Sequence, residues 1–262
     1  MTATIEEVQK FWDARPCNIR HGTAPVGTRE YFDQVEKRKY FVEPHIPTFA
    51  EFPRWKDRYV LEIGCGIGTD TVSFARAGAY VTAVDLSTES LKLTEKRVKA
   101  YGLEDRVVLK QANCEELSRT VDPYPYDLIY SFGVIHHTPS PDRAMQELAN
   151  FAGPDTVLKL MLYAKYSIKS LQMLISSVTC EAQPGVPVAY TYTKRGVRKL
   201  LEPHFELTSA RKEHIFSWSI PEYVRHEYRQ ALPWRWMPHH LFRALERLFG
   251  WHYLIEGKLC QR

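Results

Sequence analysis

The stretch Val60-Leu-Glu-Ile-Gly64-Cys-Gly66-Ile-Gly68-Thr-Asp70 decides which fold this sequence predicts. A short apolar run over 59–63 is predicted as a strand, and it leads directly into three glycines at alternate positions. The pattern that follows, Thr69–Ala77, predicts a helix. Glycine permits a positive φ and lets the backbone approach a ligand closely. The stretch therefore predicts a strand, a ligand-binding loop and a helix, in that order.

The chain around this unit alternates between predicted strands and predicted helices. The other predicted strands are Tyr80–Val84, Val107–Lys110, Asp127–Ser131, Val157–Tyr163, Phe205–Ala210 and Trp251–Leu259. Alternation of this kind is typical of parallel βαβ units with right-handed crossovers. We therefore expect an α/β, Rossmann-like, doubly wound fold. Its sheet should be mostly parallel and seven-stranded, with helices on both faces.

Helical segments are predicted to flank or interrupt this sheet. Residues 1–57 are expected to form an N-terminal helical cap or lid, and residues 58–262 the main domain. Inserted helical segments are expected at about 164–192 and 213–250, the second forming a C-terminal helical insertion. Residues 190–262 contain 13 Lys+Arg and 7 Asp+Glu, with many aromatic side chains. This basic segment is either a lid or a surface packed on the sheet.

Composition excludes several classes of protein. The chain has 262 residues, of which 44% are hydrophobic, and its net charge of +4 is weak evidence for a nucleic-acid partner. No apolar run approaches the ~20 residues that span a bilayer, and the N-terminus does not resemble a signal peptide. We expect a cytoplasmic protein that has no nucleic-acid partner and no membrane span. Scattered cysteines without a CxxC pair predict reduced thiols: Cys17, Cys65, Cys114, Cys180 and Cys260.

The charges around the glycine loop indicate what it binds. Asp85 ends the second predicted strand, 21 residues after Gly64, where its carboxylate could accept hydrogen bonds from both ribose hydroxyls of a nucleoside. A dinucleotide loop needs G-x-G-x-x-G, but here the third glycine, Gly68, comes one place early. Asp70 also puts negative charge where a pyrophosphate would lie. Glu62 suits an ammonium-bearing ligand, so the loop favours a nucleoside without phosphate.

The glycine stretch resembles the first motif, E/D-x-G-x-G-x-G, of the class I S-adenosylmethionine-dependent methyltransferases. Three later stretches resemble that family in the same order. Val84-Asp85-Leu86-Ser87 is similar to its acidic strand end, and Gln111–Leu117 to the segment beside the adenine. Tyr126–Pro139 is similar to its fourth-strand signature in small-molecule and quinone methyltransferases. Because four motifs occur in order, the resemblance is more specific than a lone glycine loop.

The resemblance implies S-adenosyl-L-methionine as the cofactor and S-adenosyl-L-homocysteine as its product. The implied cofactor-binding residues follow the first four strands: Glu62, Gly64, Cys65, Gly66, Gly68, Asp85, Leu86, Asn113, Cys114, Ser131 and Phe132. Asp85 would hold the ribose hydroxyls and Glu62 the loop or the cofactor's amino group. Many relatives have Asp at the position of Asn113; an amide oxygen can also accept from the adenine amino group, although without the charge.

A candidate base follows the fourth predicted strand. His136 and His137 lie where an acceptor should approach, and histidine is the usual general base near neutral pH. Adjacent residues on a tight turn point in different directions, so at most one should face the acceptor. His136 is the candidate catalytic residue, with packing as the alternative. The remaining substrate or lid candidates are Trp12, Arg20, Tyr31, Tyr40 and His137.

The end of the fourth strand also excludes some chemistry. Ser131 is a poor ligand for a hard cation, so no metal is expected there. The Asn/Asp-Pro-Pro-aromatic element of nucleobase amino methyltransferases is absent, since Ser131-Phe-Gly-Val134 stands in its place. Isolated cysteines do not favour arsenic methylation.

The sequence therefore predicts methyl transfer to an O, N, S or C nucleophile of a small organic acceptor, aromatic or of natural-product type. Two alternatives stay open, namely a methyltransferase acting on a peptide or protein and a non-catalytic binding module that keeps the fold. The expected partner is a small-molecule substrate, and a homodimer is a further hypothesis.

Overall fold

The computed structural model describes residues 3–175 and 185–260. Eight strands in these residues form one sheet: β1 (Tyr59–Ile63), β2 (Tyr80–Asp85), β3 (Val107–Gln111), β4 (Tyr126–Phe132), β5 (Ala152–Ala164), β6 (Thr191–Tyr192), β7 (Phe205–Glu213) and β8 (His252–Leu259). Their order is β3-β2-β1-β4-β5-β8-β7, with β6 pairing the end of β5. Among the described strands, β8 alone runs antiparallel to its neighbours β5 and β7.

The predicted doubly wound, mostly parallel α/β fold is confirmed. The sheet has one strand more than expected, because Thr191 and Tyr192 pair with Tyr163 and Ala164 at the end of β5. A two-residue strand is too short to show the alternation of side chains by which strands are recognised in a sequence.

Ten helices are found in the described residues: α1 (Ile5–Ala14), α2 (Arg29–Val42), α3 (His45–Ala50), α4 (Thr69–Arg76), α5 (Thr88–Tyr101), α6 (Pro141–Ala149), α7 (Ile168–Ile175), α8 (Lys194–Leu201), α9 (Ile220–Val224) and α10 (His239–Phe249). Local capping fixes several of their ends. Thr4 and Glu7 form a capping box at the start of α1, and Thr193 caps α8. Gly102, at φ +63°, ends α5.

The central strands are apolar throughout because helices cover both faces of the sheet. Leu61 of β1 packs into one core with residues of α6 and α8, whereas Val60 packs into a second core with residues of α3, α4 and α5. Leu128 and Ile129 of β4 divide between the two cores in the same way. Burial on both faces is what gives parallel strands a continuous apolar sequence rather than an alternating one.

The helices expected as a cap lie at the carboxyl edge of the sheet. Asp13 of α1 accepts hydrogen bonds at the beginning of α5, and Lys39 of α2 reaches the beginning of α4. The segment 213–250 packs on α2, since a guanidinium N–H of Arg38 donates to the Tyr223 carbonyl over 2.8 Å. The Phe41 and Trp218 rings stack 5.3 Å apart. The division at residue 57 stays a prediction.

Two further expectations concern membranes and cysteines. No helix among the described residues has the length and apolar character needed to cross a membrane. Cys65, Cys114 and Cys260 are free thiols, whereas Cys180 and part of the insertion expected at 164–192 lie outside the described residues.

The glycine loop yields a stability prediction with its own control. Gly64 has φ +76°, and a Cβ atom there would lie 2.1 Å from Cγ2 of Val134. Gly66 has φ +56°, but no atom lies within 4 Å of a Cβ at that position. We expect Gly64→Ala to lower the free energy of unfolding by about 2–5 kcal/mol, from backbone strain and overpacking together. Gly66→Ala should lower the free energy of unfolding by only about 1–2 kcal/mol, from backbone strain alone.

Urea unfolding followed by circular dichroism measures both variants. Equal losses at the two positions would contradict the close approach of Val134 to Gly64.

Candidate active site

The glycine loop lies where the strand order reverses, between β1 and β4, and ligands of open α/β sheets bind at such a crevice. The N–H groups of Gly64 and Cys65 both donate to the Val84 carbonyl of β2, over 2.7 and 3.0 Å. The next glycine turns toward the end of β2, because the Gly66 N–H donates to Oδ2 of Asp85 over 2.8 Å. The loop is therefore fixed to β2 at three backbone positions.

Asp85 is held in place by backbone donors on both of its oxygens. Gly66 bonds Oδ2, and the Ser87 N–H donates to Oδ1 over 2.8 Å. Burial raises the pKa of Asp85 to about 6, although the hydrogen bonds from Ser87 and Gly66 lower it; nearby Asp13 raises it further. Each carboxylate oxygen can accept a second hydrogen bond, so Asp85 can still receive two hydroxyl donors from a ligand.

The beginning of α4 carries a buried acidic cluster. Oδ1 of Asp70 accepts from the Lys39 ammonium over 2.8 Å and from the Tyr40 hydroxyl over 2.9 Å. Oδ2 accepts from the Tyr130 hydroxyl over 3.0 Å. Asp70 therefore occupies the helix end with a carboxylate that three side chains from α2 and β4 hold in place. The arrangement disfavours a phosphate at this helix end, as the sequence predicts.

Glu62 lies beside this cluster and is almost fully buried. The Thr71 hydroxyl donates to its Oε2 over 2.5 Å. Burial raises the pKa of Glu62 to about 8, with a further contribution from Asp70. A cationic group bound next to Glu62 would lower that pKa again, which is the physical basis of its expected contact with an amino group.

On the predicted adenine side, Asn113 acts as a helix cap. Its Oδ1 accepts the Glu115 N–H over 3.0 Å, so a bond from adenine would have to share that oxygen. Cys114 is buried, and burial raises the pKa of its thiol to about 12, which keeps it protonated. Leu86 and Asn113 are half-buried at this edge, where a flat ring can reach them.

Two of the expected cofactor contacts, Ser131 and Phe132, are neighbours at the end of β4 but differ in burial and in their contacts. Ser131 is fully buried, and its hydroxyl donates to the Ile63 carbonyl over 3.2 Å. Its hydroxyl is therefore bonded to the residue that directly precedes the glycine loop, and its contact with a cofactor stays a prediction. Phe132 is half-buried and contacts aromatic rings from three elements, among them His45 and His252 at 5.9 and 5.8 Å between centroids.

The two consecutive histidines differ in their hydrogen bonding. His137 Nδ1 lies 2.6 Å from the Val188 carbonyl, and its ring meets Trp12 of α1 at 5.6 Å. His136 is fully buried, with its ring 3.9 Å from that of Tyr163. Neither of its nitrogens makes a hydrogen bond of ordinary geometry, although the Met161 backbone lies close. Burial lowers the pKa of His136 well below its usual value, and His137 adds to this effect.

The substrate or lid candidates lie in different parts of the structure. Trp12 covers His137 beside Asp13, whose Oδ1 accepts from the Ser87 hydroxyl over 2.8 Å. Tyr40 binds Asp70, as described above. Tyr31 is instead a core residue: it is fully buried, and its hydroxyl donates to the Ile19 carbonyl over 2.8 Å. Arg20 is exposed. Trp12, Tyr40 and His137 are thus the candidates that contact other predicted site residues.

Sequence reasoning missed a cluster of histidines beside Phe132. His45, His214 and His252 each place one ring nitrogen within 4.8 Å of the other two. These residues are separated by 38 to 207 positions in the chain and belong to no shared motif. Only the pairing of β7 with β8 and the position of α3 bring them together.

Comparisons with known proteins agree with this geometry. A family model described as a methyltransferase domain matches residues 60–155. A ubiquinone biosynthesis O-methyltransferase from Bordetella bronchiseptica is 36% identical over 97 residues, which are 36% of this chain and 38% of that protein. Methyltransferase GfsG from Streptomyces halstedii is 34% identical over 96 residues, 36% of this chain and 34% of that protein. The chain thus spans well under half the length of these relatives.

Solved structures show the same fold over nearly the whole chain. The magnesium protoporphyrin IX methyltransferase of Synechocystis PCC 6803, crystallised with bound SAH, has a TM-score of 0.64 at 16% identity. The alignment covers 98% of this chain and 99% of that one. The [4+2]-cyclase SpnF has a TM-score of 0.63 at 14% identity, over 98% of this chain and 97% of that one.

The matched segment 60–155 contains the glycine loop, Asp85, Asn113 and the end of β4, which are the motifs that predicted the family. Residues 60–155 therefore match a methyltransferase domain, and the motifs within them are similar to those of the class I S-adenosylmethionine-dependent methyltransferases.

Proposed function

We propose that this chain transfers a methyl group from S-adenosylmethionine to a nucleophilic atom of a small organic acceptor. The observation that carries the proposal is the pair formed by Asp85 and Gly66. The carboxylate is anchored by the loop N–H, while the space beside the Gly66 Cα is open. A ribose can then approach the backbone and place its two hydroxyls on the carboxylate.

The acidic residues beside the loop favour a cofactor with a positive charge and no phosphate. Asp70 holds the beginning of α4, where a dinucleotide would place its pyrophosphate. Glu62 can ionise when an ammonium group binds next to it. S-adenosylmethionine has a ribose, an ammonium and a sulfonium but no phosphate, so it fits this distribution of charge.

The reaction requires little covalent chemistry from the protein. A lone pair of the acceptor attacks the methyl carbon, the bond from carbon to sulfur breaks, and the sulfonium becomes the neutral thioether of S-adenosylhomocysteine. The chain contributes orientation and exclusion of water. We expect Trp12 of α1, whose ring contacts His137, to border one side of the acceptor and the half-buried ring of Phe132 the other. This aromatic border suits an acceptor with an apolar or ring portion.

An oxygen attached to a ring is the acceptor atom that we favour. One relative is named for O-methylation in ubiquinone biosynthesis and is 36% identical over 97 residues. Because a cyclase shares the fold, the fold by itself does not establish which chemistry occurs. Methyl-labelled S-adenosylmethionine offered with phenols, carboxylic acids, amines and thiols tests the proposal, and label in an acceptor supports it.

The pKa of Asp85 predicts how cofactor affinity depends on pH. The ionised carboxylate accepts both ribose hydroxyls, so binding should weaken as the pH falls below about 6, toward tenfold per pH unit. Asp85→Asn should weaken the binding of S-adenosylhomocysteine by about 1.5–3 kcal/mol at pH 8 and remove this acidic loss. Isothermal titration calorimetry between pH 5 and 8 measures both effects.

Asp105→Asn is the matched control, because Asp105 is an exposed carboxylate just before β3, away from the crevice. It should bind like the wild type at every pH. A folded Asp85→Asn protein with unchanged affinity would overturn the ribose assignment.

His136 gives a prediction about turnover. His136 is fully buried and neutral, and its nitrogens lack ordinary partners; if acceptor binding opens this position, the imidazole is the base that would take the proton of an acceptor hydroxyl. His136→Gln should lower the turnover rate by about 100- to 10,000-fold while the affinity for S-adenosylhomocysteine stays the same. Because the imidazole is neutral well below its usual pKa, the loss should persist from pH 8 down to pH 6.

Turnover with a phenolic acceptor and calorimetry with S-adenosylhomocysteine measure these two quantities. His240→Gln, at an exposed position of α10, is the control and should retain the wild-type rate. If His136→Gln retains that rate as well, His136 is a packing residue only.

A further inference from the structure

Three histidines from distant parts of the chain converge beside the end of β4. His45 lies in α3, His214 follows β7 directly, and His252 begins β8. His45 Nε2 is 3.0 Å from His252 Nδ1, and the rings of His214 and His252 stack with their centroids 4.6 Å apart. One nitrogen from each ring lies within 4.8 Å of the other two.

The sheet places this cluster at its carboxyl edge. His252 pairs with Tyr163 at the end of β5 and with Glu213 at the end of β7. The ring of Phe132, at the end of β4, lies within 6 Å of both His45 and His252. The cluster is therefore on the side of the crevice where the acceptor is proposed to bind, one ring away from the end of β4.

The spacing of the nitrogens suits a metal ion. Metal bonds of 2.0–2.1 Å in a tetrahedral site place neighbouring ligand nitrogens about 3.3–3.4 Å apart. The distances in the cluster, from 3.0 Å to at most 4.8 Å, bracket that value. To reach coordination distance, the ring nitrogens would have to move by about 1 Å, which requires side-chain rotation. Such a movement is small for His214, which is only half-buried.

A carboxylate lies beside the cluster. Oε1 of Glu43 lies 3.6 Å from His252 Nδ1, so a carboxylate is close enough to compensate part of the charge of an ion.

We propose that His45, His214 and His252 bind one divalent transition-metal ion of the zinc class, with Glu43 as a fourth, oxygen ligand or as a partner of His252. Imidazole nitrogens select Zn²⁺, Ni²⁺, Cu²⁺ or Fe²⁺ over Mg²⁺ and Ca²⁺. This departs from the sequence-based expectation of a site without metal. That expectation considered hard cations at Ser131, which is not part of the cluster.

An ion at this position gives the acceptor side a fixed positive charge. It would bind an oxygen or other lone-pair donor of the acceptor and favour its deprotonated form. This consequence rests on the proposed methyl transfer, whereas the binding of the ion does not.

The experiment measures metal binding without turnover. The full chain is stripped with a chelator, dialysed and titrated with Zn²⁺ against a competing chelator, and with Co²⁺ as a spectroscopic probe. We expect one ion per chain and visible Co²⁺ absorption bands that indicate nitrogen ligands. His214→Ala and His252→Gln should each weaken Zn²⁺ binding at least about 100-fold. His240→Ala removes an exposed histidine outside the cluster and should bind like the wild type.

Calorimetry with S-adenosylhomocysteine is run on the same samples, so that a failure of metal binding is distinguished from a failure of the cofactor site. Circular dichroism checks folding, and His214→Ala, at the half-buried position, keeps the test valid if His252→Gln does not fold. The proposal is overturned if the wild type binds no ion, or if His214→Ala binds Zn²⁺ as tightly as His240→Ala does.

Discussion

The hydrogen bond from the Gly66 N–H to the Asp85 carboxylate is the contact on which the rest of the site depends. It joins the loop after β1 to the end of β2, and the Ser87 N–H donates to the second carboxylate oxygen, Oδ1. β1 and β2 are neighbours in the sheet, so this bond fixes the position of the loop beside the end of β2 and thereby the shape of the crevice. Gly66 has a positive φ, and the space where a side chain would lie at this position is open.

The covering helices are bonded to the same residues that form the crevice. Asp13 of α1 accepts from Ser87, and Lys39 of α2 binds Asp70 at the beginning of α4. Arg38, adjacent to Lys39, holds the C-terminal insertion through the carbonyl of Tyr223. Any displacement of α1 or α2 therefore changes hydrogen bonds inside the site.

Local sequence patterns predict the parts of this structure that depend on neighbouring residues. The glycine loop, Asp85 and the apolar runs of β4 and β5 lie within short motifs, so the fold and the cofactor side follow from them. The complete burial of Ser131 could not be predicted, because it depends on which elements pack around the end of β4. Tyr31 was expected near the lid, yet it packs into a core that only the path of α2 creates. The histidines at 45, 214 and 252 depend on long-range pairing, which no local spacing reveals.

The central claim is that the crevice holds a nucleoside cofactor that bears positive charge and no phosphate. Calorimetric titration of the wild-type chain with S-adenosylmethionine and, separately, with NAD⁺ tests it most directly, since both ligands offer ribose hydroxyls to Asp85. The Asp70 carboxylate at the beginning of α4, and the ionisation of Glu62 when an ammonium group binds, predict binding of S-adenosylmethionine at one site per chain and no binding of NAD⁺. Binding of NAD⁺ with equal or greater affinity, or no binding of S-adenosylmethionine to the folded protein, would contradict the account.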